Sequence, residues 1–142
     1  VIKASDILSE AAFTAGHDVK KSEIHGMSQR GGSVTSDIRY GDKVLSPTII
    51  SGEADFLVVL TDDQAEINLH LLKKGGKMIC SRDVDLSKIP DNKVLNIVLL
   101  GKLSSFLDIP QKNWEDAIRK LLPAKFAEMN IEAFRIGRGS NK

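Results

Sequence analysis

Hydrophobic and polar positions along this chain repeat with two alternating periods, and the places where the period changes mark out the elements. Ile7, Leu8, Ala11, Ala12 and Ala15 recur at helical spacing, and Gly16 follows as a terminator, which predicts a first helix with one apolar face. His17 to Ile24 reads as a strand. Ser33 to Arg39 alternates, with Val34 and Ile38 on one side, as a half-buried strand does. Tyr40-Gly41-Asp42-Lys43 carries a turn signal, so Val44-Leu45-Ser46 is expected to return as the partner strand of a hairpin stopped by Pro47. Phe56 to Leu60 is a short continuous apolar run, the mark of a strand covered on both faces in a parallel sheet.

Thr61 and Asp62 would cap a helix carrying Ala65, Ile67, Leu69 and Leu72 to a stop at Gly75-Gly76, with Lys73, Lys74 and Lys77 as its solvated end. Lys77 to Ser81 is the next buried strand. Such a strand–helix–strand unit is the building block of doubly wound α/β folds. From Asp91 to Leu107 the run Val94–Leu100 could be a strand by composition. Apolar positions continuing at Leu103, Phe106 and Leu107 make it long enough to be a helix. Trp114, Ala117, Ile118 and Leu121 form another stripe. Pro123 opens a final helix with Phe126, Met129, Ala133 and Ile136 facing inward, and Gly137 to Lys142 is expected to fray. The fold class expected is therefore α/β: a doubly wound, mostly parallel, Rossmann-like sheet with a β-hairpin excursion and a helical C-terminal third.

Composition narrows the function classes. The chain has 142 residues, 42% of them apolar and 27% charged, and a net charge of +1. That is one ordinary globular domain, without the basic excess of a nucleic-acid binder and without an apolar run of membrane-spanning length. Cys80 is the only cysteine, so intramolecular disulfides and any iron–sulfur cluster ligated by this chain alone are excluded. A reduced, cytoplasmic setting follows. His17 and His70 lack metal-ligand spacing, so no metal site is expected, and Cys80 reads as an inert core thiol. The chain opens on Val1 within a helical pattern that has no capping residue before it, which suggests sequence upstream.

The chemistry concentrates in Ser22-Glu-Ile-His-Gly-Met-Ser-Gln-Arg-Gly-Gly-Ser33. Arg30 offers a planar fork of donors, and Gly31 and Gly32 can turn backbone N–H groups toward an anion because no Cβ intervenes. A turn needing positive φ, with the arginine in solvent, is the other reading of the same residues. His25 either donates to a substrate or caps the loop on a backbone carbonyl. Glu23 beside it would orient the imidazole or pair with Arg30. Gly26, Ser28, Gln29 and Ser33 complete the candidate anion site, whereas Met27 reads as packing.

This loop closely resembles the gamma domain of 2-oxoacid:ferredoxin oxidoreductases, within that group the indolepyruvate type. So do Ala15–Lys20, Ser46-Pro47, Gly52–Asp55, Asn96–Gly101 and the Pro123–Phe126 and Asn130–Phe134 stretches. The resemblance implies a gamma subunit, inactive alone, of an enzyme that decarboxylates a 2-oxoacid oxidatively to an acyl-CoA and reduces ferredoxin. It implies that this chain binds no cofactor by itself and that Glu23, His25, Gly26, Ser28, Gln29, Arg30, Gly31, Gly32 and Ser33 help close the substrate and CoA site. Thiamine diphosphate and iron–sulfur clusters would sit on alpha and beta (and delta) partner subunits, with CoA as co-substrate and ferredoxin reached through the complex. Family members begin with a strand and a Gly-rich turn that this sequence lacks. They are also longer between Ser81 and Asn96, so residues 1–142 are expected to be one gamma-type domain with a junction near Ser81-Arg82. A stand-alone CoA- or nucleotide-binding Rossmann-like module, and a purely architectural subunit, remain the competing readings.

Overall fold

The computed structural model describes residues 2–25, 34–60, 66, 68–84, 87 and 94–139. Helix α1 (Ile2–Thr14) buries Ile7, Leu8, Ala11 and Ala12. It ends in a Schellman arrangement: Gly16 takes φ +96°, its N–H donates to Phe13, and the His17 N–H donates to Ala12. Strand β1 (Asp18–His25) follows and pairs antiparallel with β2 (Val34–Gly41), from Asp18↔Gly41 to His25↔Val34.

That pairing corrects the expected hairpin, because β2 is joined to β1 and not to Val44–Ser46. A complete eight-residue ladder outweighs the three residues available before Pro47, which has no N–H to donate. Side chains hold the Val44–Thr48 segment instead. The Val44 N–H donates to Asp18 Oδ2 at 2.8 Å, and Arg39 Nη1 donates to the carbonyls of Ser46 and Thr48 at 3.1 and 3.4 Å.

Strands β3 (Ala54–Val58) and β4 (Leu72–Ile79) pair in parallel. Ala54 aligns with Leu72 and Phe56 with Lys77, so Lys73 to Gly76 bulge opposite Asp55. Gly75 at φ +82° supplies the turn of the bulge, and Lys73 pairs with Asp55 across it. The expected helix ending at Gly75-Gly76 is thereby corrected: Leu72, the glycines and the three lysines belong to a strand. Before it, Glu66 and Asn68 are α-helical, as expected, and Leu69–Leu71 is a 3-10 turn. Thr61, Asp62, Ala65 and Ile67 lie outside the described residues. Among those residues the strands form two two-stranded sheets, one antiparallel and one parallel. With the helices they make a mixed α/β arrangement, as expected, in which one of these two sheets is parallel.

The last third is helical, as expected. Helix α2 (Leu95–Ser104) is buried from Ile97 through Ser104 and forms the centre of the core, between β3–β4 and the last helix. Helix α3 (Gln111–Leu121) buries Trp114, Ala117 and Ile118, with the indole N–H donating to Ile109 at 3.2 Å. Helix α4 (Ala124–Arg138) departs from expectation in two ways. Its buried stripe is Ala127, Asn130, Ile131, Ala133, Phe134 and Gly137, while Phe126 and Met129 are 43% and 38% exposed. It also runs through Gly137 to Arg138, whose Nη1 donates to the Ser104 carbonyl and hydroxyl, so the expected frayed tail is helix to that point. The close approach of Gly137 to Val98 decides which face of α4 turns inward. A Cβ on Gly137 would fall 1.8 Å from the Val98 carbonyl oxygen.

Candidate functional site

The β1–β2 hairpin carries the candidate loop at its tip. Its last register pair is His25↔Val34, so residues 26–33 span the gap between the two strands. Gly26, Ser28, Gln29, Arg30, Gly31, Gly32 and Ser33 lie outside the described residues, as does the side chain of His25. The stem beneath them is well defined. Lys21 Nζ donates to Glu23 Oε1 at 2.9 Å and also to Asp6 on α1, so one ammonium ties the hairpin to the first helix. Burial alone would lower the Lys21 pKa, but the hydrogen bonds to Asp6 and Glu23 outweigh it and hold the group above the ordinary lysine value. Glu23 is thus engaged by Lys21, while Arg30 and the His25 imidazole, the partners the sequence suggested, lie outside the described residues.

One face of the hairpin opens onto a cleft of about 1200 Å³. Thr35 through Gly41 of β2 line one wall and Glu53 through Leu60, around β3, line the other. Ala4, Ser5 and Leu8 of α1, with Leu100 and Leu103 of α2, form the floor. Successive residues of a strand point to opposite faces, so an unbroken run of lining residues means that the strand presents its backbone edge. Both walls are such edges: among the described residues β2 is bonded only to β1, and β3 only to β4. Within this region the Ser36 hydroxyl is buried without a hydrogen-bond partner among the described residues.

Sequence reasoning missed this cleft and the residues that shape it. Tyr40 lines it, packs its ring 4.9 Å from the His17 ring, and has its phenol pKa raised by burial and then by the charges of Asp108 and Asp55. Arg39 pins the Ser46-Pro47 segment against β2. The one available signal was the apolar alternation of β2, which was assigned to the wrong partner strand. Cys80 is 3% exposed beside Val59, a core thiol as read. Ser46-Pro47 ends no strand.

Known proteins bear on this arrangement in three ways. Residues 1–94, which include the four described strands and the candidate loop, match the family model described as pyruvate ferredoxin/flavodoxin oxidoreductase. The indolepyruvate oxidoreductase subunit IorB of Pyrococcus horikoshii is 27% identical over 177 aligned positions, covering 96% of this chain and 88% of that one. The 2-oxoglutarate synthase subunit KorC of Archaeoglobus fulgidus is 26% identical over 151 positions, covering 96% and 79%. The IorB alignment is longer than this chain, so that relative carries segments with no counterpart here. In structure, the chain superposes on the keto/oxoacid ferredoxin oxidoreductase gamma subunit of Geobacter sulfurreducens with a TM-score of 0.69. The identity there is 24%, and the match covers 94% of this chain and 86% of that one. The fold is thus the mixed α/β fold of such gamma subunits, and this chain belongs to the pyruvate ferredoxin/flavodoxin oxidoreductase family.

Proposed function

We propose that this chain is the small, gamma-type subunit of a 2-oxoacid:ferredoxin oxidoreductase, and that residues 26–33 help close the site where the 2-oxoacid and CoA meet. The observation that carries this reading is the family match across the hairpin. The strands that lead into the loop support it: the first is braced by Asp6, Lys21 and Glu23, and the second lines an open cleft. Arg30, with the N–H groups of Gly31 and Gly32, would grip a carboxylate or phosphate by charge-assisted hydrogen bonds. His25, Ser28, Gln29, Gly26 and Ser33 would complete the contact.

The electron-transfer and decarboxylation chemistry belongs to other chains. A single cysteine, buried in the core, cannot ligate an iron–sulfur cluster. The residues present therefore do not fit that group, and thiamine diphosphate and the clusters are assigned to alpha and beta partner subunits in a cytoplasmic complex. No described helix is long and apolar enough to cross a membrane.

Residues 1–142 are read as a single gamma-type domain of doubly wound design. The parallel β3–β4 pair supports this because it is apolar on both faces. Phe56, Val58 and Ile79 join the main core on one side, while Leu57, Val59, Met78 and Cys80 cluster on the other. The edges of β2 and β3 that face one cleft, unpaired among the described residues, leave room for a further strand that would join the two sheets.

Reconstitution tests the subunit reading. The purified chain should show no 2-oxoacid-dependent ferredoxin reduction, and adding it to the partner subunits should restore turnover. Turnover by the chain alone, or full activity of the partners without it, contradicts the proposal.

A further inference from the structure

Gly41 ends β2, and residues 42–50 then run back across the hairpin with neither helix nor strand among them. The ladder fixes which face they cross. Asp37 and Arg39 alternate along β2 and so share a face, and Asp18 shares it as the register partner of Gly41. Val19, Ile38 and Tyr40, on the opposite face, pack on the core. Three side chains of the outer face hold the segment. Asp18 accepts from the Val44 N–H at 2.8 Å, Arg39 donates to the Ser46 and Thr48 carbonyls at 3.1 and 3.4 Å, and Asp37 accepts from the Ile49 N–H at 3.5 Å. The order of these contacts makes the segment a strap running antiparallel to β2.

Apolar packing adds little to this hold. Val44, 7% exposed, is the one buried residue between positions 42 and 50, whereas Leu45 and Ile50 are 83% and 64% exposed. The strap ends in a turn where the Glu53 N–H donates to Ile50 and Gly52 takes φ +86°. Lys43, Val44, Thr48, Ile49 and Ile50 line the cleft. A segment held by one buried side chain and a few side-chain hydrogen bonds opens more readily than an eight-residue ladder or a helical core. Each such bond also requires its side chain to keep one rotamer, at an entropy cost that main-chain ladder bonds do not carry. We propose that residues 42–50 are a movable outer wall of the cleft. The strap lifts from the hairpin as a unit, pivoting at Gly41 and Gly52, while β1 and β2 stay paired, and its lifting widens the cleft mouth and uncovers Val44. The motion involves neither residues 26–33 nor a partner subunit.

Thiol labelling tests this, because the one native cysteine, Cys80, is 3% exposed beside Val59 and reports opening of the core. Val44→Cys places a second thiol under the strap. With each rate taken relative to its value in urea, the thiol at position 44 should react with a disulfide reagent at least tenfold faster than Cys80. Arg39→Gln, a change at an exposed position, should speed labelling at position 44 at least threefold and leave Cys80 unchanged. Equal rates at the two positions, or an Arg39→Gln effect on both or on neither, overturns the proposal. Amide exchange in the unsubstituted chain gives a second reading that needs no change at the buried position. The Val44 and Ile49 N–H groups should exchange at least tenfold faster than the ladder N–H groups of β1 and β2, and equal protection overturns the proposal. Both readings are made on this chain by itself, so failure here leaves the reconstitution result untouched.

Discussion

Gly137 of α4 packs its backbone directly on the carbonyl of Val98 in α2, so closely that an added Cβ would stand 1.8 Å from that oxygen. Gly101 makes the reciprocal approach, 2.1 Å from the Phe134 carbonyl. Both obstacles are main-chain atoms within helices and cannot rotate aside. Gly137→Ala or Gly101→Ala should therefore push the two helices apart and cost about 3 kcal/mol, the upper end for overpacking. Urea denaturation should show a lower midpoint at an unchanged slope; an unaltered midpoint would mean that the helices do not cross here.

Glu115 on α3 accepts from Arg135 on α4 at 2.8 and 3.0 Å and from Gln111 at 2.7 Å. The Arg135 hydrogen bonds, ahead of the opposing effect of burial, hold the Glu115 carboxyl below its ordinary pKa. A carboxylate lowered in the folded state adds stability above its unfolded pKa, and that stability is lost as pH falls through the folded value. Wild type should be more stable than Glu115→Gln at pH 7, and the gap should close as pH drops below the ordinary glutamate value of about 4.3. Parallel stability curves for the two proteins across that range would contradict the assignment.

The Asp6–Lys21–Glu23 bridge makes a separate prediction for the hairpin. Lys21→Met should cost about 1 kcal/mol, as expected for a partly exposed ion pair, and should speed amide hydrogen exchange in Asp18–His25 more than in α4. Because the folded Lys21 pKa is raised, its contribution is complete below the unfolded lysine value of about 10.4 and is lost as pH rises through the folded one. Uniform acceleration of exchange across the molecule would show that the bridge does not act on the hairpin specifically.

Gly75 tests the bulge in β4. A Cβ there meets nothing within 4 Å, so only its φ of +82° opposes substitution. Gly75→Ala should cost about 1–2 kcal/mol from backbone conformation alone, read as a lower melting temperature. No loss would show that the strand readily adopts another register.

What the sequence made legible follows from how local the signals are. The helix stop at Gly16, the strand read from His17 to Ile24 and the helical nature of Val94–Leu100 rest on short-range periodicity and a glycine; the structure agrees with each, the strand lying at Asp18–His25. The errors arise where a distant contact decides. The partner of β2 is β1, because an eight-residue ladder beats a short segment ending in proline. Gly75-Gly76 looked like a helix stop because its bulge depends on pairing with Asp55. The inward face of α4 was misassigned by one residue, since Phe126 and Met129 match a helical stripe as well as Ala127 and Asn130 do. The backbone contacts of Gly137 with Val98 and of Gly101 with Phe134 distinguish the two stripes. The candidate loop was visible in its glycines, arginine and histidine, but the cleft between β2 and β3 was not, because facing sheet edges leave no mark on local sequence.

Arg30→Ala in the assembled oxidoreductase tests most directly whether the hairpin tip contacts a negatively charged reactant. The account predicts that the complex still forms at wild-type stoichiometry, while CoA or 2-oxoacid affinity, or turnover, falls by about 1.5–3 kcal/mol, the worth of a charge-assisted hydrogen bond. Wild-type kinetics in an intact complex, or loss of assembly with normal kinetics in whatever complex remains, would contradict it.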